Sequence, residues 1–241
     1  MKTELILLTA PDLMLASMLV LALIGLGIRL GLGVGRTLTI AAVRTTVQLL
    51  LVGLILETVF SQAKLTWIMS IVLVMMTVAA WEILARQKRK LKGWWGFGVS
   101  AFSLFISSFL ITLLALIIII KADPWYTPQY AIPLLGMLLG NTMNGIALGM
   151  DRLVQTAWQQ RCVIEQRLMV GQKDREAIRE IARDSMRAGM IPIINAMAAA
   201  GVVSLPGMMT GQILAGSPPV EAVKYQILIM FLVTSGTGFA V

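Results

Sequence analysis

Apolar residues in this chain come in long blocks rather than in stripes. Nearly uncharged stretches cover about residues 13–30, 38–60, 65–84, 99–120 and 131–150. A polar interval follows, Asp151 to Ala188, and two further apolar stretches cover about 190–214 and about 223 to the end. Each is close to the roughly 20 residues that a helix needs to cross about 30 Å of hydrocarbon. The pattern predicts an all-α, polytopic membrane protein, a single transmembrane domain over 1–241 with about seven spans. Segment 151–188 forms a polar helical region between the fifth and sixth spans.

Two places break this simple pattern. In the polar interval the sequence from Asp174 reads "DREAIREIARDSMRAGM". Arg175, Arg179, Arg183 and Arg187 recur every four residues, and Glu176, Glu180 and Asp184 each lie three residues before an arginine. Ile178, Ile181, Ala182 and Ser185 form another face, so the stretch predicts an amphipathic helix with Asp174 at its N-cap. Two readings fit it: a solvated helix leading into the sixth span, or a docking surface for a cytosolic partner.

The second place is "SLPGMMTGQILAG", Ser204 to Gly216, inside the sixth apolar stretch. A lipid-facing break would leave backbone groups unpaired, at several kcal/mol each. Residues 190–205 cover about 24 Å at 1.5 Å per residue, so the helix has not quite crossed when Pro206 arrives. This predicts a bend at Pro206, turned toward a neighbouring copy or a path, with Gly207 and Gly211 permitting close approach. A plain proline kink against a neighbouring helix is the other reading.

Composition agrees with the pattern. The 241 residues are 58% hydrophobic and 13% charged, against about 25% charged in a soluble domain. The net charge of +8 comes from basic residues gathered between spans. Arg29, Arg36, Arg44, the run from Arg86 to Lys92, and Arg152 to Arg187 place 16 of 20 basic residues on one side. Lys2, Lys64, Lys121 and Lys224 remain on the other. The positive side is expected in the cytoplasm, with the N-terminus outside and the C-terminus inside. Nucleic acid is not an expected partner, because no basic and aromatic surface remains outside the membrane blocks.

The opening run from Leu13 to Ile28 is long for a signal peptide. Lys2 is offset by Glu4, and Asp12 precedes the run, so a retained first span is expected. Trp125, Tyr126 and Tyr130 suit an outer interface, and Trp94 and Trp95 an inner one. The chain stops at Val241 within the seventh stretch with no basic anchor after it, which reads as a truncated sequence.

Polar residues inside the spans are the candidates for chemistry, since they are costly in lipid and usually face protein or water. Arg44 is expected to snorkel to the inner edge. Gln48 lies deeper, one turn on, and either bonds a neighbouring helix or joins the transport-path candidates; Glu57 and Glu82 reach water near opposite span ends. Asn141 and Asn144 share one face of the fifth span, beside the small-residue pairs Gly136/Gly140 and Gly145/Gly149. They either bond neighbouring helices or line a transport path. Of the 16 methionines, Met143, Met208 and Met209 sit beside Asn or Gly-Pro breaks and join the path candidates, with Ser204 and Pro206. Thioethers suit Cu(I) and amides suit harder ions, but no ligand cage is recognisable.

Histidine is absent and Cys162 is the only cysteine. This excludes zinc sites built from Cys and His, intramolecular disulfides and His-dependent nucleophilic catalysis. No span carries paired carboxylates, so an embedded enzyme is not expected. There is no phosphate-cradling loop ending in Gly-Lys-Ser/Thr, so any ATP must be bound by another chain.

The stretches "LLGNTMNGIALGMDRL", "ARDSMRAGMIPIINAM" and "VVSLPGMMTGQILAGSPPVEAVKYQI" resemble the FetB family of ABC-transporter permeases, and the likeness covers most of the chain. Plant aluminium-tolerance permeases are similar to that family. The resemblance implies a permease in the bacterial plasma membrane, dimerising around a central path and paired with a separate cytosolic ATPase that binds ATP and Mg. This chain would hold no cofactor of its own. It also implies export of iron or another metal ion, with a sugar nucleotide as the alternative cargo. An ATPase-independent carrier or channel is the reading from another class. ABC permeases carry a coupling segment reading Glu-Ala-Ala, three residues, then Gly. Glu165 and Gly171 in "EQRLMVG" keep that spacing, while Gln166 and Arg167 replace the two alanines. The resemblance therefore assigns Glu165 and Gly171 to ATPase coupling, beside Arg175 and Arg179.

Overall fold

The computed structural model describes residues 9–62, 64–87 and 95–241. Lys2, Glu4, Lys88 to Lys92 and Trp94 lie outside them. The described residues are helical and contain no β-strand. The helices are α1 (Ala10–Arg29), α2 (Gly35–Gln62), α3 (Leu65–Arg86) and α4 (Trp95–Leu104), then α5 (Leu110–Leu114), α6 (Pro128–Gln159) and α7 (Arg161–Met169). After these come α8 (Asp174–Ala177), α9 (Arg179–Ala199), α10 (Gly207–Leu214) and α11 (Pro219–Ala240). Wider π-turns at Phe105–Phe109 and Ala115–Ile120 join α4 and α5 into one rod. Among the described residues, six helices are long and apolar enough to cross a membrane: α1, α2, α3, the α4–α5 rod, α6 and α11. The protein is an all-helical polytopic membrane protein. The sixth expected stretch, 190–214, is divided between α9 and α10.

The chain forms two compact units. The first holds α1 and α2, with residues 214–216. Thr9 and Asp12 start α1: the Thr9 backbone N–H and hydroxyl both donate to the Asp12 carboxylate, at 2.8 and 2.6 Å. The two helices form a hairpin that meets tightly only at its turn, where Gly27 is buried and Gly35 lies against Ile28 and Ile24. Elsewhere most of its leucines, isoleucines and valines face outward, with the buried Val59 an exception. That surface is uneconomical in water and natural in hydrocarbon.

The second unit is a bundle around α6. The buried set Ala115, Leu116, Ala131, Leu134, Leu138, Ile193, Ile229, Leu232 and Val233 joins the rod, α6, α9 and α11. Glycines let α6 and α9 approach closely. A Cβ on Gly189 would lie 2.7 Å from the Gly145 carbonyl oxygen, and one on Gly149 would lie 3.3 Å from that of Ser185. The two contacts run in opposite sequence directions, so α6 and α9 are antiparallel. The Gly145 and Gly149 positions noted in the sequence thus serve the α6–α9 crossing, with Gly189 as their counterpart.

Candidate functional site

Most of α6 is wrapped by its neighbours, but one stripe is not. Asn141, Asn144 and Leu148 are exposed, as is Pro133 on the outer half of the same face, with Gly140 half-buried among them. Asn141 and Asn144 lie near the middle of this 32-residue helix. Each amide is held by one end. The Asn141 Nδ2 donates to the Met137 carbonyl at 2.8 Å. The Asn144 Oδ1 accepts from Arg86 Nη1 at 2.6 Å. Arg86 in turn lies 3.7 Å from the Glu82 carboxylate, one turn back on α3. Glu82 is therefore part of a cluster with Arg86 and Asn144, beyond the simple reach to water expected of it. The next residue, Gln87, is buried and donates to the Met150 sulfur at 3.5 Å, which fixes the end of α3 against α6.

Met143 is half-buried and sits off this stripe, about 100° round the helix from Asn144. Gln48 is exposed on α2 in the first unit. Sequence reasoning missed the role of Arg86. Its i,i+4 spacing from Glu82 was legible, but the bond to Asn144 joins residues 58 apart. It also passed over Asn195, which is exposed within the apolar part of α9.

The break lies earlier than the proline. Helix α9 ends at Ala199, and Gly201 takes φ +82°, a left-handed conformation open to glycine at little cost. The turn satisfies much of its own backbone. Val203 and Ser204 N–H both donate to the Ala199 carbonyl, at 3.0 and 3.1 Å, and Gly201 N–H donates to the Ser204 carbonyl at 2.9 Å. Ser204 is exposed, as are Val202, Val203 and Leu205. Pro206 follows the turn and precedes α10, where its carbonyl accepts from Thr210 N–H at 3.1 Å. Met208 packs on the buried core, and Met209 is half-buried. The expected bend at Pro206 is thus a turn at Gly201, because the helix ends at the local left-handed residue, before the proline ring is reached.

The polar interval folds as a hairpin of α7 and α8 on the ends of α6 and α9. Gly171 closes α7 with φ +87°. Its N–H donates to the Leu168 carbonyl at 3.0 Å, and Gln172 N–H donates to that of Arg167 at 3.1 Å, the paired bonds of a Schellman cap. Arg167 then clasps the far arm: one guanidinium nitrogen donates to the Ala177 carbonyl at 3.1 Å and another to Glu180 at 3.0 Å. At the base, the Arg161 guanidinium lies 4.9 Å over the Trp158 ring. Glu165 and Arg175 are exposed on this hairpin, and Arg179 is exposed at the start of α9.

The expected continuous helix from Asp174 is interrupted at Ile178, which separates α8 from α9. Lys173 takes the N-cap position, one residue before Asp174. Glu180 bonds Arg167 across the hairpin, so the predicted acid–arginine ladder gives way to a tertiary contact. Among the described residues, Arg175, Arg179, Arg183 and Arg187 form no ion pair. Among those residues, too, no group of three His, Cys, Asp or Glu side chains is placed to hold a metal ion.

Residues 10–241 match a family model described as "Uncharacterised protein family (UPF0014)". The chain belongs to the UPF0014 family. It is 41% identical over 217 residues to the UPF0014 membrane protein slr1647 of Synechocystis, covering 88% of this chain and 83% of that protein. It is 35% identical over 236 residues to the Escherichia coli protein named "Probable iron export permease protein FetB", covering 94% and 85%. It is 32% identical over 199 residues to the UPF0014 membrane protein STAR2 of rice, covering 83% and 68%. No solved structure matches the chain significantly. The family spans nearly the whole chain, so the stripe, the turn and the hairpin all fall within it.

Proposed function

We propose that this UPF0014 protein is the membrane-spanning subunit of an ATP-driven exporter, with ATP and Mg bound by a separate cytosolic ATPase. The observation that carries this reading is mechanical. The polar hairpin, clasped by Arg167, is grafted onto α6 and α9, and those helices are locked together at Gly145, Gly149, Ser185 and Gly189. A push on the hairpin therefore displaces α6 and α9 as one body, and the α6 span with them, which is what alternating access by rocking bundles requires. Glu165, Gly171, Arg175 and Arg179 form the docking surface. Asn141, Asn144 and Ser204 contribute to the path, with Met143, Pro206, Met208 and Met209 supporting it.

The name carried by the E. coli relative makes iron or another metal ion the first cargo to test. The donor set of the α6 stripe, two carboxamides beside a guanidinium, favours a second cargo class: a hydrogen-bonding small molecule such as a sugar nucleotide. The distribution of basic residues supports a plasma-membrane orientation with the hairpin in the cytoplasm and the N-terminus outside. Co-purification with its ATPase, followed by ATP-dependent uptake into inverted vesicles across iron, other metals and sugar nucleotides, tests the proposal. ATP-stimulated uptake that is lost on charge reversal at Glu165 is the expected result. Equal transport in liposomes containing this chain alone would sink it.

A further inference from the structure

The open stripe of α6 continues onto α9. Met190 and Met197 lie on one flank of α9, about 80–100° round from Gly189, and there they meet α11 at Gly238 and Thr234. Ala188, Pro192 and Asn195 lie on the other flank, about 60–120° round. On α6, Thr142 sits on the α11 side of Gly145, where it meets Gly236. Asn141, Asn144 and Leu148 lie on the opposite side, about 40–100° round from Gly145. Both sets therefore face away from α11, side by side. Their heights agree too. Gly189 lies against Gly145; on antiparallel helices Asn195 then stands about 9 Å from that crossing toward the outer end, and Asn141 about 6 Å. Pro192 and Asn195 are exposed, and Ala188 is half-buried.

This shared face holds polar groups that hydrocarbon cannot satisfy. A guanidinium only donates, so Asn144 gives Arg86 its oxygen and keeps its NH2 group to donate. A backbone carbonyl only accepts, so Asn141 gives Met137 its nitrogen and keeps its oxygen to accept. Pro192 stands inside α9 without an N–H, so the Ala188 carbonyl lacks the donor that a helix supplies four residues on. Asn195 forms no hydrogen bond among the described residues. We infer that α9 is the second wall of the path assigned to Asn141 and Asn144. Asn195 and the Ala188 carbonyl are its further contacts, for a cargo that presents hydroxyl groups or bound water. A bare cation on this face would meet an NH2 group and, behind it, a guanidinium, and neither can ligate it. A hydroxyl, or water kept around an ion, satisfies donors and acceptors alike. The inference rests on the path reading and adds to it a wall and a cargo-contacting residue, Asn195.

Thiol labelling of the full chain in native membranes, in a Cys162→Ser background, tests it, with a charged methanethiosulfonate supplied to both faces. Ile194 is the control: it neighbours Asn195 at nearly the same depth, is 49% exposed, and points away from α6, about 140° round from Gly189. A thiol ionises where water reaches it, so Asn195→Cys is expected to react at least about tenfold faster than Ile194→Cys. Equal rates, or a faster Ile194→Cys, would overturn the inference. If Asn195→Cys fails to fold, Pro192→Cys against Ile191→Cys makes the same comparison. Uptake of UDP-glucose and of ferrous iron into inverted vesicles then separates a sugar from a hydrated ion. Asn195→Leu is expected to lower uptake of the one carried by about tenfold, one hydrogen bond's worth, while Asn195→Gln retains most of it. Unchanged uptake in Asn195→Leu would overturn the inference, and where neither probe is carried the labelling contrast decides alone. A contrast kept in vesicles that transport without an ATPase would sink the ATPase reading and leave this wall standing. A contrast lost while ATP-driven uptake persists would sink this inference alone.

Discussion

Replacing Gly189 by alanine places a methyl carbon 2.7 Å from the Gly145 carbonyl oxygen and 2.8 Å from Val241 Cγ1. The first neighbour is helix backbone and cannot rotate away. Restoring an ordinary contact requires α9 to retreat from α6 by roughly 0.5 Å or more, which disturbs Ser185 against Gly149 as well. Overpacking of this kind costs about 1–3 kcal/mol. Alanine's better helix propensity returns at most about 1 kcal/mol, so the clash wins and the net loss is about 1–2 kcal/mol. At roughly 2–4 °C per kcal/mol for a chain of this size, the midpoint falls by about 2–8 °C. Gly53→Ala is the control, since a Cβ there meets nothing within 4 Å. Thermal unfolding in detergent, followed by tryptophan fluorescence, reads both variants. A midpoint for Gly189→Ala at or above wild type would refute the close α6–α9 crossing, and with it the rigid link from hairpin to spans.

Three further outcomes are expected. Arg167→Ala frees the far arm of the hairpin; with Glu180 largely exposed the loss is about 1 kcal/mol, seen as faster hydrogen exchange over 172–180 with the bundle unchanged. Gly171→Val forces a β-branched residue to φ +87°, costing about 1–2 kcal/mol and lowering the unfolding midpoint; under the proposed function it also weakens capture of the ATPase. Thr142→Val removes a buried hydroxyl that has no hydrogen-bond partner among the described residues, so the midpoint rises, by the equivalent of about 1 kcal/mol; a fall would mean that the hydroxyl is satisfied by bound water.

Much of this protein is legible from local pattern. Most apolar blocks of about 20 residues declare a span, the divided block 190–214 excepted, because the cost of exposing backbone in hydrocarbon is paid residue by residue. The long blocks accordingly recur as α1, α2, α3, the α4–α5 rod, α6 and α11. Polar character alone also singled out the hairpin, Asn141 and Asn144. The turn near Ser204 was visible as a break, but its position was misjudged. Proline draws the eye, while the chain turns where Gly201 can adopt positive φ and Ala199 can accept two N–H groups.

What only the tertiary structure decided is which groups meet. Glu180 chose Arg167 across the hairpin over its helical neighbour Arg183, because folding α7 back brings a guanidinium with a second acceptor, the Ala177 carbonyl. Arg86 found Asn144 because α3 packs beside α6, with Gln87 and Met150 setting the depth. That contact turns Asn144 into a donor and leaves Asn141 an acceptor. Hydropathy is a property of each segment and survives in the one-dimensional string. The direction of an amide depends on its neighbour in space, which the string does not contain.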